Sequence, residues 1–122
     1  MITLFLPWPN PKLSPNARVH WSVLAREKKK AKRDAYYAAL EAGVKKIEAD
    51  KVNVTVKFFP PDKRRRDSDN AIASMKAAID GISLALGVDD SRFGLSFQWA
   101  GEIKMNGMVK VELSWEEKEE VA

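Results

Sequence analysis

At 122 residues and 45% hydrophobic content the chain has the size of one domain, 1–122, and is too short for two. It has no cysteine and one histidine, which excludes disulfides, thiolate nucleophiles and Cys/His zinc sites, so any metal must sit on oxygen ligands, the preference of Mg²⁺, Mn²⁺ or Ca²⁺. The net charge of +4, an N-terminus without the charged start and cleavage site of a signal peptide, and the absence of any run near the eighteen or so apolar residues of a membrane span predict a soluble, cytoplasmic protein with no membrane association.

Residues 2 to 6, ITLFL, read as a strand that stops at Pro7, and PWPNPKLSPN after it reads as a proline-broken loop. From about Trp21 to Ile47 the composition shifts to Ala, Lys, Glu and Leu, and Tyr37, Leu40, Val44 and Ile47 recur at helical steps, with Gly43 an internal weak point. The first half of this helix is rich in Lys and Arg and is expected to face solvent or a ligand. Residues 51 to 59, KVNVTVKFF, alternate Val52, Val54, Val56 and Phe58 with polar neighbours and predict a strand ended by Pro60 and Pro61.

A charged connection then leads to a second helix over about Ser68 to Leu86, with Ile72, Met75, Ile79, Ile82 and Leu86 as its buried stripe and Gly87 closing it. Two strands near Leu95 to Ala100 and Met108 to Trp115, around a turn containing Gly107, predict a hairpin, and the tail EEKEEVA is expected to fray. The resulting order, β-α-β-α-β-β, predicts a single α+β domain, a mixed sheet with two helices packed on it.

The charge is unevenly placed. Residues 1 to 76 hold 17 Lys or Arg against 8 Asp or Glu, whereas residues 77 to 122 hold 4 against 9. Two basic clusters dominate: Arg26, Lys28, Lys29, Lys30, Lys32 and Arg33, then Lys63, Arg64, Arg65 and Arg66. Such density suits a polyanion, although a solvated helix face and a charged loop account for it as well.

Acidic residues gather in RRRDSDN and GVDDS. Asp67 and Asp69 are two apart, so on extended backbone both carboxylates project from one side. Lys76 and Asp80 follow Asp69 by seven and eleven residues, which at 100° per residue brings all three within roughly 40° of one another on one helical stripe. A chain return that carried Asp89 or Asp90 to the first pair would set like charges about 4 Å apart, repelling by about 4 kcal/mol at an effective dielectric near 20 and requiring a cation or a bound proton. Carboxylates around Mg²⁺ beside a basic patch match the needs of phosphodiester hydrolysis. The competing reading makes Asp67, Ser68 and Asp69 helix caps and Asp89 and Asp90 turn formers.

Three stretches, ITLFLPWPNPKLSPNARVH, PPDKRRRDSDNAIASMKAAIDGI and GVDDS, resemble the RusA family of Holliday junction resolvases of prophages and bacteria, and together span most of the chain. The resemblance implies that Asp67, Asp69 and Asp90 are the Mg²⁺-binding catalytic acids, with Mn²⁺ a possible substitute and Asp89 the alternative to Asp90. It also implies that Lys76 assists catalysis, although this lysine follows the DxDN motif at a longer spacing than in the best-known member. Arg66 and the preceding Lys63, Arg64 and Arg65 would hold DNA phosphate, with Lys28, Lys29, Lys30 and Arg18 as further contacts. Members are homodimers that place paired nicks across a four-way junction in DNA recombination and repair. Asn16 and His20 are additional DNA-contact candidates, with His20 equally suited to packing at the helix start beside Trp21. The readings left open are a non-catalytic nucleic-acid-binding module and a metal nuclease for other branched or duplex DNA.

Overall fold

The computed structural model describes residues 1–116. The frayed tail expected from residue 116 onward falls, beyond Glu116 itself, outside them. The elements are β1 (Ile2–Leu6), α1 (Trp21–Glu41), β2 (Val52–Phe59), α2 (Ser68–Ser74), α3 (Lys76–Leu86), β3 (Phe93–Trp99) and β4 (Met108–Trp115). They form a single α+β domain: one mixed four-stranded sheet in the order β1-β4-β2-β3 under a layer of helices.

The period-two pattern of β2 does what it predicts. Val52, Val54, Val56 and Phe58 are buried against the helices, while Asn53, Thr55 and Lys57 turn to the other face. Val109, Val111 and Leu113 of β4 and Leu4 and Leu6 of β1 complete the inner face. From above, α3 inserts Ile79, Ile82 and Leu86, and Gly87 closes it in the left-handed conformation at φ +67°.

Three expectations are corrected. The predicted hairpin of the last two strands does not form: β3 pairs parallel with β2, and β4 pairs antiparallel with both β1 and β2. Asn106 and Gly107 do adopt the consecutive positive φ of a hairpin turn, 65° and 71°. That turn instead lies inside a longer connection that carries the chain past β2. The central place goes to the strand whose alternate residues are fully buried, Val109, Val111 and Leu113, and the edge to β3, whose Leu95 and Trp99 tolerate exposure.

The second helix is divided at Met75 into α2 and α3, making three helices rather than two. The first ends at Glu41 rather than Ile47, since Gly43 takes φ +97° and terminates it. Its buried residues are Ala35 and Ala39, not Tyr37 and Leu40, which stay exposed. Close approach of α3 explains the shift. Gly81 lies against the backbone of α1 at Lys32 and Tyr36, and only small side chains fit such a crossing.

Candidate functional site

Two prolines end β2 and release the chain into the basic loop, which folds around Asp62. Its Oδ1 accepts the Arg64 amide at 2.8 Å and an Arg66 guanidinium N–H at 2.9 Å, while Oδ2 accepts from the Arg64 side chain at 3.2 Å. The Arg64 amide first, then the two guanidinium groups, lower the Asp62 pKa to about 2. Arg66 also donates to the carbonyls of Asp62 and Arg64, at 3.1 and 2.9 Å, and lies 5.4 Å from the ring of Trp8. Arg66 therefore shapes the loop. Lys63 and Arg65 form no ion pair among the described residues and present their charge outward.

Asp67 is the N-cap of α2: its Oδ1 accepts the amides of Asp69 and Asn70 at 2.8 and 3.4 Å. Asp69 occupies the first turn of that helix and is exposed. Asp89 caps a short 3-10 turn at 90–92, its Oδ1 accepting the Ser91 amide at 2.9 Å, and its carboxyl is held below the ordinary value chiefly by that bond. The capping role offered for Asp67 and the turn-forming role offered for Asp89 are thus both present.

Asp90 belongs to a different arrangement. Partial desolvation, then a hydrogen bond with Asp80 and the charge of that residue, push its pKa up, while Lys76 opposes the shift. Lys76, Asp80 and Asp90 are brought together, as helical spacing places Lys76 and Asp80 one turn apart on α3. The first acidic pair stands elsewhere. Eleven residues separate Asp69 from Asp80, roughly 16 Å along the helices at 1.5 Å per residue. Among the described residues no group of three or more His, Asp and Glu could hold a metal ion.

Three depressions around α2 share wall residues. One of about 540 Å³ is walled by Pro60, Asp62, Lys63, Arg64, Arg66 and Ser68 and by residues 99–103. A second, about 460 Å³, holds Trp8, Arg64, Arg65, Arg66, Asp67 and Asn70, and shares Arg64 and Arg66 with the first. A third, about 600 Å³, shares Ser14 and Ser74 with the second and is lined by Lys28, Lys29 and Lys32 from α1 with Lys76 and Asp80 from α3. Asp69 lies one turn before Ala73, which lines the third groove, and so stands on the same side of the helix pair. Basic residues distant in sequence therefore flank one trough, which contains Asp67 near its middle and Asp80 at one end.

Lys30 lines a fourth cleft, with Glu27 and Asp34, that shares Trp8, Asn10 and Ser74 with the second. Arg18 and Asn16 are exposed in the preceding segment and line none of these clefts. His20 caps α1, its Nδ1 accepting the Ser22 amide at 3.2 Å, with the Trp21 ring 5.3 Å away. Asp80 is the residue that the motifs alone underplayed. Its place beside Lys76 on the helical stripe was the signal, and its contact with Asp90 needed the folded chain.

Asp80 lines the third groove and Asp90 feels its charge, and one or two carboxylates are what Mg²⁺ ordinarily takes from protein, the remaining positions going to water and phosphate oxygen.

No family model matches the chain. An uncharacterized protein of Xylella fastidiosa is 36% identical over 117 residues, an alignment covering 93% of this chain and 76% of that one.

Proposed function

We propose that this chain, which belongs to one family with the Xylella fastidiosa protein, is a Mg²⁺-dependent DNA endonuclease of the RusA type, acting in the cytoplasm as a homodimer on four-way junctions and related branched DNA. The observation that carries the reading is Lys76 and Asp80, whose charges act on Asp90, lining a groove together with Lys28, Lys29 and Lys32. The likeness of RRRDSDN and GVDDS to the resolvase motifs supports it.

The lysines of α1 neutralise the phosphates of a strand lying in the trough, and those of the basic loop continue the track past Asp67. Asp80 and Asp90 are the residues that would hold a divalent ion, with Asp69 directed along the same side of the helices. An ion bound there supplies Lewis acidity toward a phosphate oxygen. Lys76 offsets negative charge that grows on the phosphate as it is attacked. Both cap bonds of Asp67 use Oδ1, so capping does not compete with any interaction made by its second oxygen. Two copies related by two-fold symmetry match a substrate with two equivalent strands to cut.

The capping roles of Asp67 and Asp89 favour one other reading, a DNA-binding module without catalysis. Labelled four-way junction and matched linear duplex, incubated with Mg²⁺ or chelator, separate the two. The endonuclease places paired nicks in the junction only with metal, and Asp90→Asn lowers the rate by about 100-fold or more. Junction binding with no metal-dependent cutting establishes the module, and equal cutting of linear duplex removes the branched-DNA assignment.

A further inference from the structure

The carboxyl ends of the parallel strands β2 and β3 lie side by side, the place where open sheets of this kind offer a crevice. Here the groove of about 540 Å³ is within the size range of small-ligand sites. Trp99, the last residue of the edge strand, forms one side and remains 39% exposed. Its ring is fixed from several directions. The indole N–H donates to Ser68 Oγ at 3.0 Å, and the ring packs on Phe58 and Trp8 with centroids 5.1 and 6.3 Å away.

The opposite wall carries Lys63, Arg64 and Arg66, with Asp62 already engaged by both arginines. At the rim a side chain on Gly101 would meet nothing within 4 Å. A rigid, open aromatic face beside cations is the equipment of a nucleotide-stacking site.

We propose that this groove takes a single unpaired nucleotide of a DNA strand, its base stacked on Trp99 and its phosphate held by Lys63 and Arg64. The inference rests on the reading of the chain as a protein of branched DNA, and gives that reading a source of selectivity. In a continuous duplex both faces of each base are already stacked, whereas bases at a branch or bulge are free to leave. Ser68, the partner of the Trp99 indole, directly follows the cap residue Asp67, so the captured base would sit beside the middle of the trough.

The test uses the full chain in chelator and two duplexes of one sequence, one bearing an unpaired 2-aminopurine nucleotide and the other fully paired. The protein should bind the bulged duplex about 5- to 100-fold more tightly and quench its fluorescence. Trp99→Ala and Gly101→Leu should abolish both effects while paired-duplex binding persists, and Trp99→Phe should retain most of each. Should Trp99→Ala fail to fold, Gly101→Leu decides, since its site touches no core residue. Undiminished preference and quenching in Gly101→Leu overturn the inference, as does a wild-type protein with no preference. Without metal the assay reads binding alone: bulge capture by a protein that never cuts removes the endonuclease reading only, and junction cutting without bulge capture removes the stacking site only.

Discussion

Replacing Gly81 by alanine tests whether the contact between α1 and α3 sets the geometry of the trough. A Cβ at this position falls inside the contact radius of the Lys32 carbonyl oxygen, with Lys32 C and Tyr36 N each 3.1 Å away. These atoms belong to successive turns of α1 and cannot rotate aside as a side chain would. Alanine gains about 1 kcal/mol over glycine in helix propensity. Overpacking costs about 1–3 kcal/mol, with the upper end appropriate where backbone must move. The expected net loss is about 2 kcal/mol. At about 2.1 cal/mol/K per residue the chain has an unfolding entropy near 0.26 kcal/mol/K, so Tm falls by about 8 °C. Gly101→Ala, in open space, is the control and should stay within about 2 °C. Because Lys32 and Asp80 line one groove, spreading the helices should also weaken the proposed DNA binding. Calorimetry showing Gly81→Ala as stable as wild type would refute the packing argument.

Four further outcomes follow from the charges. The folded chain raises the Asp90 pKa, so its ionisation opposes folding above that raised value and ceases to do so as the pH falls through it; Asp90→Asn should raise Tm at pH 7 and lose that gain below the ordinary value of 3.8. Added Mg²⁺ should raise the Tm of wild type but not of Asp90→Asn, and an equal rise in both would place the ion elsewhere. Asp62, with its pKa lowered to about 2, favours folding above 3.8 and loses that contribution as the pH falls through about 2; carboxyl NMR should show this midpoint, raised only in part by Arg66→Ala because the Arg64 amide survives. The triple substitution of Lys28, Lys29 and Lys32 by alanine should flatten the dependence of log K on log salt by up to about 2.7, checked by anisotropy across a salt series.

Local patterning made much of the fold legible. The alternation in β2, the stripe of Ile79, Ile82 and Leu86, and the stop at Gly87 all depend on neighbours in sequence. The periodicity of Tyr37 and Leu40 marks α1 as a helix without marking its buried face, which is that of Ala35 and Ala39. The outcome depended on a glycine more than forty residues downstream that lets α3 come close. At the site, the two capping acids were foreseeable from their positions at element starts, but the pairing of Asp90 with Asp80 depends on how α3 hands over to β3. The loop-building role of Arg66 likewise needs Trp8 from the far end of the chain.

The placement of the last two strands has the largest consequence for function. The parallel pairing of β2 with β3 requires a crossover, and α2 and α3 are that crossover. Asp69, Lys76 and Asp80 ride on it, and its return delivers Asp90 to Asp80 just before β3 begins. Inserting β4 between β1 and β2 also makes β3 an edge, where the helices no longer cover Trp99. One topological choice thus exposes the aromatic face at the carboxyl end of β3 and builds the carboxylate pair before its amino end. The trough of basic residues around α2 is the surface that links them. Under the proposed function a strand of DNA following that trough passes Lys63 and Arg64, then Asp67, then Lys76 and Asp80. On that proposal, substitutions at its two ends should separate recognition of the branch, lost at Trp99, from hydrolysis, lost at Asp80 and Asp90.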